Sequence, residues 1–166
     1  GQRKNHYRVG KTVQDISYFR WYSANAKGGD KELFKNIHNN FFAVHTRGAS
    51  RGVISDQNAH PFEFSHLVGM HNGTLLDTQY LHHSKTDSEM MFGDINKRGL
   101  IPVLEGLNPK SAYVVVIYNK KTGEMVFARN EERELYIAFA EDRAVMYWAS
   151  EEWYLRGVLE RNKKKI

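Results

Sequence analysis

The sequence predicts an α+β fold of stacked antiparallel β-sheets flanked by helices, and three observations carry that prediction. Helical and strand patterns are interspersed along the 166 residues. The later strand patterns follow one another across short polar turns, which favours antiparallel pairing over a doubly wound parallel sheet. The run Tyr113-Val114-Val115-Val116-Ile117 is apolar on both faces, so that strand needs cover on both sides. A chain of this length forms a single domain, residues 1–166, and buries roughly 70% of its unfolded surface.

Val13 to Ser23 alternates Ile16, Tyr18, Arg20 and Tyr22 against Ser17, Phe19 and Trp21, which predicts a strand. Gly28-Gly29-Asp30 ends it, and Asp30 caps a short helix carrying Leu33, Phe34 and Ile37 at helical spacing. Phe41 to His45 and His66 to Met70 are compact apolar strands on either side of a polar stretch. Thr86-Asp87-Ser88-Glu89 has the form of a capping box, with Met90, Met91, Phe92 and Ile95 behind it and Gly99 past the end. A second short helix starts near Pro102 and stops before Asn108-Pro109. Four strands follow as a meander, Ala112–Tyr118, Glu124–Arg129, Glu134–Ala140 and Arg143–Ala149. Ser150 then caps a last helix, Glu151 to Leu159.

Composition removes several function classes. Hydrophobic residues are 41% and aromatics 13%, too apolar for a disordered chain. No apolar run is long enough for a bilayer-spanning helix and no signal-peptide pattern opens the sequence, so no membrane partner is expected and the expected location is the cytoplasm. With no cysteine there is no disulfide framework, no thiol nucleophile and no thiolate metal site.

The net charge of +5 is confined to the ends. Arg3, Lys4, Arg8 and Lys11 lie in residues 1–11, and Arg161, Lys163, Lys164 and Lys165 form a basic tail at 161–166. Without these eight, 16 basic groups face 19 acidic ones. Solvated termini account for such ends. A nucleic-acid partner would call for aromatics interleaved with the basic runs, and the tail has none.

Four segments hold the residues suited to chemistry. Asn72-Gly73, between two apolar runs, is a strong hairpin signal because both residues tolerate positive φ. The Asn72 carboxamide beside the Gly73 backbone N–H also offers two donors that could converge on one oxygen, as an oxyanion hole requires. The readings are compatible, since a tight turn would fix the donors. Arg47 could be a solvated strand end, but a guanidinium on a rigid element is also the preferred fork for a carboxylate. Asp87 is a favourable anion in a first helical turn and equally a partner for an ammonium. The histidines lack zinc-site spacing and are expected in core or loops, so neither a metal nor another cofactor is expected.

Taken in order, these segments resemble the class II glutamine amidotransferases, a branch of the N-terminal-nucleophile hydrolases. His45-Thr46-Arg47-Gly48-Ala49-Ser50-Arg51-Gly52, Asn58-Ala59-His60-Pro61, Gly69-Met70-His71-Asn72-Gly73 and Thr86-Asp87-Ser88-Glu89 match that family's motifs, and Trp148-Ala149-Ser150-Glu151 is similar too. The resemblance spans most of residues 16–159 and is nearest to the short stand-alone members encoded by tailed phages.

The resemblance implies a four-layer αββα sandwich that binds glutamine, hydrolyses its side-chain amide and releases ammonia. Arg47 would hold the α-carboxylate with Ser50 nearby, Asp87 the α-amino group, and Asn72 with the Gly73 amide the oxyanion. In that family the attacking group is an N-terminal cysteine whose own amine is the base. This chain begins Gly1-Gln2-Arg3-Lys4, and the family's opening strand, first helix and following loop are not visible before residue 7. The expectation is therefore an N-terminally incomplete domain whose nucleophile comes from a missing segment or a second polypeptide. The alternative is a catalytically inactive binding or interaction module on the same scaffold.

Overall fold

The computed structural model describes residues 5–9, 21–23, 42–46, 58–141 and 145–161. Among them lie strands β1 (Asn5–Val9), β2 (Trp21–Ser23), β3 (Phe42–Thr46), β4 (Phe62–Glu63), β5 (Leu67–Thr74), β6 (Ala112–Asn119), β7 (Met125–Arg129), β8 (Tyr136–Phe139) and β9 (Met146–Ala149). The described α-helices are α1 (Asp87–Arg98), α2 (Leu100–Glu105) and α3 (Glu152–Arg161). Every strand pairing among the described residues is antiparallel, and the fold is mixed α+β as expected. The expected helix after Asp30, together with Arg47, Ser50 and the tail beyond Arg161, lies outside the described residues.

The strands form three sheets, ordered β2-β1-β3, β4-β5-β6-β7 and β8-β9. β5 and β6 are the backbone of the second sheet, paired over eight residues from Leu67↔Asn119 to Thr74↔Ala112. Their alternation sorts the side chains by face. Leu67, Val115 and Ile117 join Phe62, Leu75, Met91, Phe92, Ile95, Val103 and Leu107 in one core beneath α1 and α2. Val114, Val116 and Tyr118 point the other way and are also buried. The doubly apolar run thus has the cover on both sides that its composition demands.

The helix signals are realised closely. Thr86 caps α1 by accepting the Glu89 N–H at 3.1 Å, while the Glu89 carboxylate pairs with Lys85. Gly99, at φ 92°, ends α1 and admits α2 directly after it. Glu151 is the residue immediately before α3, and its carbonyl accepts the Tyr154 N–H. The capping position therefore falls one residue later than the Ser150 cap the sequence predicts.

Three sequence expectations are corrected. Asn5–Val9 is not a frayed end but the middle strand of its sheet among the described residues, paired with both β2 and β3. Pairing on two sides satisfies its backbone groups, a gain that counting local charge does not register.

Asn72-Gly73 is not a hairpin turn. Both residues lie inside β5, opposite Val114 and Tyr113. The long register with β6 outweighs the local turn propensity, and Gly73 adopts φ 148° within the strand.

The four-strand meander is also broken, because β7 stays with β6 while β8 and β9 pair separately. Asn130 is where the chain leaves the sheet. Its side chain accepts the Tyr113 N–H and donates to the Ser111 carbonyl, closing the end of the β6–β7 ladder.

Candidate functional site

β5 passes between α1 and a cavity of about 480 Å³. Met70 and Asn72 face this cavity beside Val114 and Val116 of β6, as the period of two requires. Leu135, Trp148 and Ala149 close it from the β8–β9 hairpin, Ser150 and α3 add to the wall, and His45 of β3 reaches it from the first sheet. An edge-to-face contact with Phe127, ring centroids 5.4 Å apart, holds Trp148 in place. Tyr154 and Val158 also line the cavity and remain 47% and 57% exposed, which puts its mouth beside α3.

Asn72 is the exposed residue between two anchored ones. On one side, His71 is 3% exposed and its Nδ1 lies 2.8 Å from the Ser88 hydroxyl. Its Nε2 lies 3.4 Å from the Ala112 carbonyl, and its own carbonyl accepts from His45 Nε2 at 3.0 Å. The Ser88 hydroxyl also lies 3.4 Å from Asp87 Oδ1, so it stands between the His71 ring and the Asp87 carboxylate. Burial pushes the His71 pKa below its ordinary value of 6.5, and the Asp87 carboxylate offsets that only in part.

On the other side, Gly73 has no room for a side chain. A Cβ there would stand 1.9 Å from the Ala112 carbonyl oxygen and 2.8 Å from His71 Nε2.

Asp87 lies at the N-terminus of α1, 8% exposed. Oδ2 accepts the Leu75 N–H at 3.0 Å and Oδ1 accepts the Ser88 N–H at 2.9 Å. The carboxylate thus ties the end of β5 to the positive end of the helix. Of the sequence-predicted residues, Asn72 and Gly73 adjoin each other along β5, and Asn72 lines the cavity. Asp87 is not among the described residues that line it, and Arg47 and Ser50 are outside the described residues.

The segment Asn58-Ala59-His60-Pro61 is buried as well. Asn58 donates to the Ser84 carbonyl, and the His60 ring lies 4.1 Å from His45 and 4.7 Å from Phe62. Its observed part is to pack the approach to α1 against β3 and β4.

Sequence reading placed Ser88, Met70 and Trp148 within its motif segments but gave them no role of their own. Once Asn72 is placed on a strand, the period of two assigns Met70 to the same face. No sequence signal pairs Ser88 with His71. That pair has the spacing of a nucleophile and its base. Yet Ser88 is 4% exposed and is not among the cavity-lining residues, so the contact serves to hold β5 against α1.

Among the described residues no cluster of His, Cys, Asp and Glu could hold a metal ion, and no helix is long and apolar enough to cross a membrane. Compared with known proteins, the chain matches no family model and no curated protein.

Proposed function

We propose that this chain is a glutamine amidotransferase-like domain of the αββα kind, acting in the cytoplasm, that binds glutamine for amide hydrolysis and ammonia release. The observation that carries the reading is the placement of Asn72. A carboxamide with two N–H donors stands at the wall of a cavity, on a strand fixed at the residue before it and sterically closed at the glycine after it. Such pre-set donors suit an oxyanion, and losing one typically costs about 10²–10³ in rate.

In this reading the glutamine side-chain carbonyl meets Asn72 and the Gly73 amide, Arg47 with Ser50 holds the α-carboxylate, and Asp87 the α-amino group. A thiolate adds to the carbonyl carbon, the oxyanion collapses, the C–N bond breaks and ammonia leaves with a proton. The glutamyl thioester left behind is then hydrolysed. The 166 residues include no cysteine, so the thiol comes from an N-terminal segment or a second polypeptide.

Thermal unfolding with saturating L-glutamine, L-glutamate and D-glutamine tests the binding step, since a ligand of the folded state stabilises it by mass action. L-glutamine should raise Tm most, and Arg47→Lys should reduce the rise because the planar two-point contact is lost. Equal responses to all three compounds, or none, overturn the glutamine reading.

A second reading, an inactive binding module, draws on the Asp87 carboxylate, whose two oxygens already accept the Leu75 and Ser88 N–H groups. Ammonia release from glutamine, measured with an N-terminal segment that begins with an exposed cysteine, separates the two. Release supports the amidotransferase, and silence supports the module.

A further inference from the structure

The cavity is much larger than the departure of ammonia requires, and its wall is mostly apolar. Its roughly 480 Å³ falls in the range of about 300–1,000 Å³ usual for small-molecule sites. Val114 and Val116 line one side, Leu135 and Trp148 the other, and Asn72, Ser150, His45 and His71 are polar members of the lining. None of the described lining residues carries a carboxylate, ammonium or guanidinium group. An ammonium drawn among these residues would lose its hydration without gaining a carboxylate partner. A carboxylate would find only the imidazoles of His45 and His71, whose ring nitrogens already contact the His71 carbonyl, Ser88 and Ala112. An apolar body placed there would gain from leaving water.

We propose that this cavity takes an uncharged amide bearing an apolar or aromatic body, its carbonyl oxygen on the Asn72 carboxamide and its body against Val114, Val116 and Trp148. The proposal deepens the glutamine reading and rests on it only for the part played by Asn72. It separates the amide end of a substrate, which meets this wall, from charged groups, which must be held elsewhere. An amide that bears such an apolar body fills the available space, whereas one without it leaves most of the space unused.

The test is a methyl NMR titration of the whole chain, with valine methyls labelled, using benzamide, hexanamide, acetamide, sodium hexanoate and L-glutamine as probes. Benzamide and hexanamide should shift the Val114 and Val116 signals, with affinities at least about tenfold above those of acetamide and hexanoate. Val116→Phe fills the cavity and should abolish both responses at Val114. The smaller change Val114→Leu should weaken them, read at Val116, and thermal unfolding checks that each variant folds.

Hexanamide binding no better than acetamide, or no better than hexanoate, overturns the proposal. So does binding that survives in both folded variants. An Arg47-dependent response to L-glutamine without any response to benzamide removes the cavity proposal alone. A benzamide response without one to L-glutamine keeps the cavity proposal and removes the glutamine reading.

Discussion

On the α1 side of β5, Phe92 and Met91 are fully buried, and the Phe92 ring lies so close to Gly69 that a Cβ there would stand 2.3 Å from it. On the other side, Met70 and Asn72 look into a cavity whose far wall includes the half-exposed Tyr154 and Val158. One region is packed against change and the other keeps space. The same strand serves both because its side chains alternate. The rigid face fixes the backbone, and that fixed backbone presents Asn72 to the open face.

This contrast should be visible in stability. Phe92→Ala removes a fully buried ring from the packed face and should cost about 3–5 kcal/mol in urea unfolding. Leu135→Ala, on the cavity wall, should cost under about 1.5 kcal/mol, because a side chain beside existing space loses fewer contacts. Equal costs would break the comparison.

Gly73→Ala should cost roughly 3 kcal/mol, since its φ of 148° and the Ala112 carbonyl both resist a side chain. A neutral result in the same unfolding assay would mean that β5 can shift, and that Asn72 is not rigidly presented.

Ser88→Ala should cost about 1–3 kcal/mol by leaving the buried His71 Nδ1 without its hydrogen-bond partner, and Ser88→Thr should recover most of the loss. A loss that threonine does not recover would point to packing instead of the hydroxyl.

The smallest expected effect is the pH dependence. The folded-state pKa of His71 lies below 6.5, so beneath that pH the unfolded chain binds a proton that the folded one refuses. Stability from this source is complete above about pH 6.5 and is lost as pH falls, with a slope of at most about 1.4 kcal/mol per unit for one proton. Unfolding curves between pH 7.5 and 5 should show this slope, and His71→Asn should flatten it.

Features set by neighbours in the chain were legible beforehand. The Thr86 cap, the Gly99 stop and the doubly buried β6 each follow from residues within a turn or a strand of one another. Features set by distant partners were not. Asn72-Gly73 has the local chemistry of a hairpin, and only the eight-residue register against β6 holds it extended. Asp87 is recognisable as a helix-start anion, but nothing nearby in sequence indicates that Leu75 supplies a donor.

Sequence by itself therefore determined the α+β class, the boundaries of the described α-helices within a residue or two, and the need to cover β6 on both faces. Tertiary structure alone decided that β1 is a central strand, that β8 and β9 leave the sheet of β6 and β7, and that Asn72 faces a cavity while His71 is locked to Ser88. The division has a physical cause. Propensity, capping and alternation are energies of adjacent residues and can be read along the chain. Register, cavity shape and buried hydrogen-bond partnerships are energies between segments, fixed only when the long-range pairing with the most satisfied backbone groups and the most buried apolar surface prevails over local preference.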